Sequence, residues 1–433
     1  MTKRKKIVLG SIVILCLGFF GYHYARYLKA SSRMPILSAD LDKRIAEFDK
    51  QDYPRAPLFG PSVPGNAAEI YKKVFLENQK SKMDKIAGQQ LSDAVEAPDK
   101  PIPPELKAAL ETYLPAFETF KQGANAKKYK PLKNWINNEP WNISATGLGT
   151  LRLLSKLAVV RSRELAKDNN APEALKLCLA FIRAGDDMAR RGTLIEGLVG
   201  IYVSAVSQKE LARLLNRTEL PEMELAGLID ALQALLDSEA SFNRMIHGEQ
   251  LVAVSALKHL AETNGLWPRS KVDWNLKMVT RAEVMDAYDE VIPVMEKLKS
   301  ADSLPYAQAI EELNRFNEPE KLFKNQVSQL IVPGIGSLYS KLHILNAQRR
   351  GLYILTALKL YKAKYQKYPD KLADLAPDII KTVPLDPFSG QAFIYNVLPD
   401  GAIQLYSIGA NLKDDNCNAD KETDIVITPL KKQ

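Results

Sequence analysis

The residues best suited to chemistry lie in one acidic loop close to the C-terminal end of the chain. Asp414, Asp415, Asp420 and Asp424 precede a final β-branched run, Ile425-Val-Ile-Thr428. Calcium takes roughly six to eight oxygen ligands, so several carboxylates and carbonyls on one flexible loop are suitable for it. The plainer reading of the same residues is a solvated acidic turn, because oxygen-bearing side chains are common on loops. Asp414, Asn416, Asn418 and Asp420 follow the alternating start of an EF-hand. Ala419 stands where that loop needs Gly, and Ile425 where it needs the bidentate Glu, which excludes an EF-hand.

A second group with chemical potential is His247-Gly-Glu249, with His259 further along the same helical stretch. These residues could supply an acid–base pair or part of a metal site, and an envelope hydrolase built around His247 and Glu249 is the enzymatic alternative. His23 and His343 are distant in sequence, so no third ligand is evident. A hydrogen-bonded interior His and Glu is the simpler explanation. His-Glu-x-x-His, Cys-x-x-Cys and Gly-x-Ser-x-Gly are all missing, and Gly60-Pro-Ser-Val-Pro-Gly-Asn66 lacks the Lys and hydroxyl of a phosphate loop. The chain is therefore expected not to be an enzyme.

At 433 residues, with 46% hydrophobic and 25% charged residues, the chain has ordinary globular composition and length for two or three domains. Its net charge of +8 invites a nucleic-acid reading, but Lys3, Arg4, Lys5, Lys6, Arg26, Lys29 and Arg33 precede the first acid, Asp40, and the remainder is close to neutral. The basic character belongs to a targeting element and no nucleic-acid partner is expected. That element is Lys3-Arg-Lys-Lys6 followed by an uncharged run, Ile7 to Tyr24, with Phe19, Phe20, Tyr22 and Tyr24 crowding its far end. About 18 apolar residues is the lower edge of what spans a bilayer, and the preceding cations favour a cytoplasmic N-terminus. Residues 1–30 are thus expected to form a cytoplasmic tail and single-pass anchor in the inner or cytoplasmic membrane, with the bulk periplasmic or otherwise extracytoplasmic. The run is long for a cleaved signal peptide and no A-x-A pattern comes closely after it. Leu15 before Cys16 disfavours lipidation.

Beyond the anchor only Cys178 and Cys417 remain, too few for a disulfide framework. Residues 31–143 read as a helical, Pro-rich region. Ser38 to Lys50 suggests a short helix, Asn66-Ala-Ala-Glu69 a capping box, and Pro104 to Phe120 another helix. Trp135 and Trp141 suggest packing against the helices C-terminal to them. From 144 to 336 the pattern is helical. Leu151, Leu154, Ala158 and Leu165 make one stripe; Leu175, Cys178, Ile182, Gly185 and Met188 make the next; others continue through Leu257. Short breaks such as Asn170-Ala-Pro-Glu173 predict antiparallel helical hairpins, a bundle or solenoid-like body. Thr280-Arg-Ala-Glu283 is a further capping box.

Residues 337–433 differ. A long helix from Ser337 ends near Lys367, before Tyr368-Pro369. Pro384-Leu-Asp-Pro-Phe-Ser-Gly390 is turn chemistry, Phe393 to Val397 a strand, Pro399-Asp-Gly401 a hairpin turn, Ile403 to Ile408 its partner, and Asp424 to Thr428 a third strand. This segment resembles the C-terminal part of the major pseudopilin of type II secretion systems, over about a fifth of the chain. The resemblance implies a long helix with a small antiparallel sheet packed on it. It also implies calcium in the loop after Ser407-Ile-Gly-Ala-Asn411, where Asn411 replaces an Asp, with Asn411, Asp414, Asp415, Asp420 and Asp424 as the candidate ligands. The pseudopilin processing pattern is absent, since Gly10 is followed by Ser-Ile-Val-Ile-Leu15.

The expectation is therefore a mainly α chain: a transmembrane anchor, a helical body and a C-terminal α+β pseudopilin-like module. Its expected role is a non-enzymatic scaffold or interaction protein in protein secretion or envelope assembly, with secretion or envelope proteins as partners. A helical body acting as ligand sensor is the other alternative.

Overall fold

The computed structural model describes residues 3–50, 55–78, 88–130, 145–191, 193–239, 241–263, 279–332, 335–418 and 423–428. Trp135, Trp141 and Asp420 lie outside these residues. Side chains of the first helix are described from Phe20 onward. Among the described residues the fold is mainly helical with two small sheets.

The first helix, α1 (Lys3–Lys50), is continuous where the sequence suggested an anchor and a separate helix from Ser38. Pro35 lies inside it. A proline in a helix interior costs about 3 kcal/mol. Leu37, Leu41 and Phe48 are buried on the face that packs against α9 (Phe242–Glu262) and α10 (Arg281–Lys299). Each contributes roughly 1.5–3 kcal/mol, so docking outweighs the proline. Ion pairs fix the register: Arg33 forks onto Asp289 at 2.6 and 2.8 Å, and Arg44 reaches Asp40 at 2.8 Å and Glu296 at 2.7 Å. Toward its start the helix leaves the body, and Phe20, Tyr22 and Tyr24 are exposed. Among the described residues no helix is long and apolar enough to cross a membrane. Most of the Ile7 to Tyr24 run has side chains outside the description.

The N-terminal region contributes α2 (Ala67–Asn78), α3 (Gly88–Glu96) and α4 (Pro104–Ala124), with β1 (Val63–Asn66) paired in parallel to β2 (Ala126–Lys128). The Asn66 side chain accepts the Ala68 amide at 3.2 Å, as a helix cap does, and also ties down Lys130. The body is built from α5 (Ala145–Lys167), α6 (Ala171–Arg191), α7 (Leu194–Arg217) and α8 (Glu222–Leu236), followed by α9 and α10. Thr280 and Glu283 form the expected reciprocal capping box at the start of α10. Helices α6 and α7 cross closely at a pair of glycines. A Cβ placed on Gly185 would lie 2.5 Å from the Gly200 carbonyl oxygen and 2.7 Å from the Ser204 amide nitrogen. Only a glycine pair lets two backbones approach this far.

After α11 (Tyr306–Asn314), α12 (Pro319–Leu322) and α13 (Gln326–Ile331), the long helix α14 (Gly336–Tyr365) runs through the middle of the molecule. Leu338, Leu342, Leu345, Leu352 and Leu355 recur at helical spacing along it and are buried. In the structure Ala347, Arg349, Gly351 and Ala357 are buried as well. Burial thus extends beyond one stripe of α14, as in a helix packed on several sides, while Ser337, Lys341 and Lys362 stay exposed. Helix α8 packs mainly on α14 instead of on its chain neighbour α7, and the sheet takes another face of α14.

Helix α14 stops at Gln366, whose φ of 60° is left-handed and whose amide returns to the Lys362 carbonyl at 2.8 Å. Beyond Tyr368-Pro369 come β3 (Ile394–Val397), β4 (Ile403–Ser407) and β5 (Ile425–Val426), an antiparallel sheet in that order. Gly401, at φ 77°, makes the β3–β4 turn that Pro399-Asp-Gly predicts. The Tyr395 hydroxyl donates to the Pro369 carbonyl at 2.9 Å, and Ile427 packs against Gly351 of α14.

Candidate functional site

The acidic loop is closed by hydrogen bonds among its own residues. Asp424 is buried, and its two oxygens accept the amides of Asp415 at 3.2 Å and Asn418 at 3.1 Å. Asp414 accepts the Tyr406 hydroxyl at 3.0 Å and the Asn416 amide at 2.9 Å. Asn411 donates its side-chain amide to Asp415 at 2.7 Å. Four of the five candidate ligands therefore share one loop, and Asp420 lies outside the described residues. Among the described residues no group of three or more His, Cys, Asp or Glu is arranged to hold a metal ion. Asp424, engaged at both oxygens, acts as the loop's internal anchor.

His247 and Glu249 are not brought together. Residues two apart on a helix do not face each other. His247 packs edge-on against Phe48 of α1, with ring centroids 5.6 Å apart, and burial pushes its imidazole down to about 4. Glu249 instead accepts the Leu194 amide at 2.9 Å, at the start of α7, and burial pushes its carboxyl up to about 7. His343 lies on α14 among Tyr306, Tyr339 and Phe388, its Nδ1 3.1 Å from the Tyr339 carbonyl, and is also pushed down to about 4 by burial. Each of the three groups is thus engaged with different neighbours.

The Glu249 shift has a consequence for stability. A carboxyl whose folded value is raised binds its proton more tightly in the native state. Its contribution is full below about 4.5 and is lost as pH rises through about 7. His247, lowered in the native state, works oppositely, its contribution being lost as pH falls from about 6.5 through about 4. Glu249→Gln should therefore remove the loss of stability between pH 5 and 7 that the parent protein shows relative to it. Urea titrations at a series of pH values would check this, and parallel curves for the two proteins would refute it.

The densest polar cluster of the described residues is one that sequence reasoning missed. At the α6–α7 crossing, Asp187 pairs with Arg55 at 3.1 Å, both side chains wholly buried, and accepts the Tyr71 hydroxyl at 3.1 Å. Next to it Asp186 pairs with Arg349 of α14, both again wholly buried, and accepts the Ser204 hydroxyl at 3.2 Å. Arg183 and Arg190 complete the group, reaching the Ser238 hydroxyl at 3.2 Å and the Ser238 carbonyl respectively. Burial raises Asp187 from its ordinary value and lowers Arg183 to about 9 and Arg190 in the same direction. Four guanidinium groups thus surround two carboxylates in the interior, and several of their N–H groups, including Arg349 Nε and Nη1, have no partner among the described residues. Desolvating so many charges costs more than their pairing returns, so the cluster contributes alignment more than net stability. It ties the N-terminal region, α6, α7 and α14 to one another at a single register.

The signal was present. Arg183, Asp186, Asp187 and Arg190 recur at helical spacing on α6, a stripe that reads as a solvated face unless both faces of the helix are known to be covered. Comparison with protein-family models, curated proteins and solved structures finds no significant match to this chain.

Proposed function

We propose that this chain is a membrane-anchored envelope protein that acts as a scaffold, holding a pseudopilin-like module for interaction with components of protein secretion or envelope assembly. The observation that carries the reading is the C-terminal arrangement. A long helix ends in a left-handed stop and a Tyr-Pro, and a three-stranded antiparallel sheet is laid on that helix, in the order the resemblance implies. Because the helical body covers much of α14, the surface the module offers a partner is mainly its sheet, turns and acidic loop. The anchor is supported by the uncharged run and by the exposed Phe20, Tyr22 and Tyr24, which stand where α1 leaves the body, as aromatics do at a bilayer interface. The separation of His247 from Glu249 favours this reading over a hydrolase centred on them.

Capture from envelope extracts on the immobilised chain tests it, with secretion or envelope-assembly proteins as the expected catch. Recovery of none would contradict the role. The calcium proposal is tested in parallel by melting the protein with calcium and with chelator. A ligand bound only by the folded state adds about 2.7 kcal/mol at a hundredfold excess over its dissociation constant. Asp414→Ala with Asp415→Ala should abolish that gain, and no gain at millimolar calcium would leave the loop a self-closed turn.

A further inference from the structure

A groove of about 850 Å³ lies between α14, α11 and the outer edge of the C-terminal sheet. One wall is the chain from Thr423 to Val426, which contains β5. Strand β5 is the last of its sheet and, among the described residues, pairs only with β4. In that pairing Ser407 lies opposite Ile425 and Tyr406 opposite Val426, while the Ile427 amide donates to the Leu405 carbonyl at 3.0 Å. Alternate residues of an antiparallel strand turn their N–H and C=O to the same neighbour. Ile425 and Ile427 therefore face β4, and the Val426 N–H and C=O face away from it, on the groove side. An edge of this kind is a template for one more strand.

The opposite wall sets the charge of a segment that would fit. Lys209 of α7 and Lys341 of α14 line the groove, are exposed, and make no ion pair with any described residue. The lining acid, Asp424, is buried and spends both oxygens on the loop amides. Ser337 and Gln348 on the α14 side can meet polar side chains. The groove thus joins an unpaired strand edge to an excess of positive charge.

We propose that this groove binds an extended, acidic peptide segment of a partner protein, which adds to β5 as a fourth strand and directs carboxylates toward Lys209 and Lys341. Backbone pairing supplies affinity, and the two lysines select acidic segments and set the salt dependence. The inference needs only the groove and its strand edge, and stands apart from the membrane and secretion reading.

The test pans a phage-displayed library of random dodecapeptides against the full chain in detergent. Enriched peptides should alternate β-branched and acidic residues. Val426→Pro removes the outward amide at a position where an edge strand tolerates proline, and should weaken binding roughly tenfold. Lys209→Glu with Lys341→Glu should weaken it by at least as much, most at low salt. A thermal melt checks that each variant is folded; if Val426→Pro is not, the exposed lysine pair decides. Failure to enrich any peptide, or peptides that bind both variants as well as the parent, would overturn the proposal. Sensitivity to the lysines but not to a folded Val426→Pro would also overturn it, reducing the site to a charged patch. Dimerisation lost in Val426→Pro, with no peptide enriched, would overturn it by placing a second copy of the chain on this edge.

Discussion

Asp187→Asn should cost about 3–5 kcal/mol of stability, the range expected when one partner of a buried ion pair is removed and the other is left charged. The side chain keeps its shape and can still accept the Tyr71 hydroxyl, so the loss isolates the charge. Arg55 would then remain wholly buried beside Arg183 with its neutralising carboxylate gone. The matched control is Asp289→Asn. It breaks the ion pair with Arg33 at 2.6 Å, but there half of the aspartate side chain is exposed, and such pairs contribute about 0–1 kcal/mol. Urea denaturation of the two variants compares them directly. Equal losses would mean that the interior cluster is not electrostatically special.

The second large effect concerns Gly200. A methyl group there would fall inside contact distance of the Gly185 carbonyl oxygen and 2.8 Å from the Ala189 amide nitrogen, and both are backbone atoms that cannot turn aside. Alanine normally favours a helix over glycine by about 1 kcal/mol. Here the overpacking penalty of about 1–3 kcal/mol, at the upper end because two helices must separate, exceeds that gain. Gly200→Ala should therefore destabilise the protein and loosen the Asp186–Arg349 register. Gly227→Ala on α8, where nothing lies within 4 Å of the added carbon, should stabilise it by up to about 1 kcal/mol. Opposite signs from one substitution in two helices are the expected result of denaturant titrations. Two stabilising outcomes would show that the crossing has slack.

The C-terminal module was the most legible part of the chain because its signals are local. Pro369, Gly401 and the alternation of Ile403 to Ser407 each act on neighbouring residues, and the strands fall where those signals put them. The Thr280–Glu283 capping box is likewise a short-range device. The features that the sequence hid depend on contacts between distant segments. Ser38 to Lys50 read as a helix separate from the anchor, yet burial on α9 and α10 carries α1 through Pro35. Arg349 gave no sign of being interior, since its counterion Asp186 is on another helix and both look like surface charges in isolation. In the candidate loop the acids were visible, but not that Asp424 would spend both oxygens on amides of its own loop. His247 and Glu249 were close in sequence, and helix geometry turned them to different neighbours.

Anchoring in a membrane by residues 1–30, with the C-terminal module on the extracytoplasmic side, underlies the proposed role. Cells making the full chain can be fractionated, and protease then added with the outer barrier opened and the cytoplasmic membrane intact. The chain should stay in the membrane fraction through alkaline extraction, and the module should be digested while a cytoplasmic marker survives. Removal of residues 1–30 should release the rest from that fraction. A full-length chain found soluble, or protected together with the cytoplasmic marker, would contradict the anchored reading.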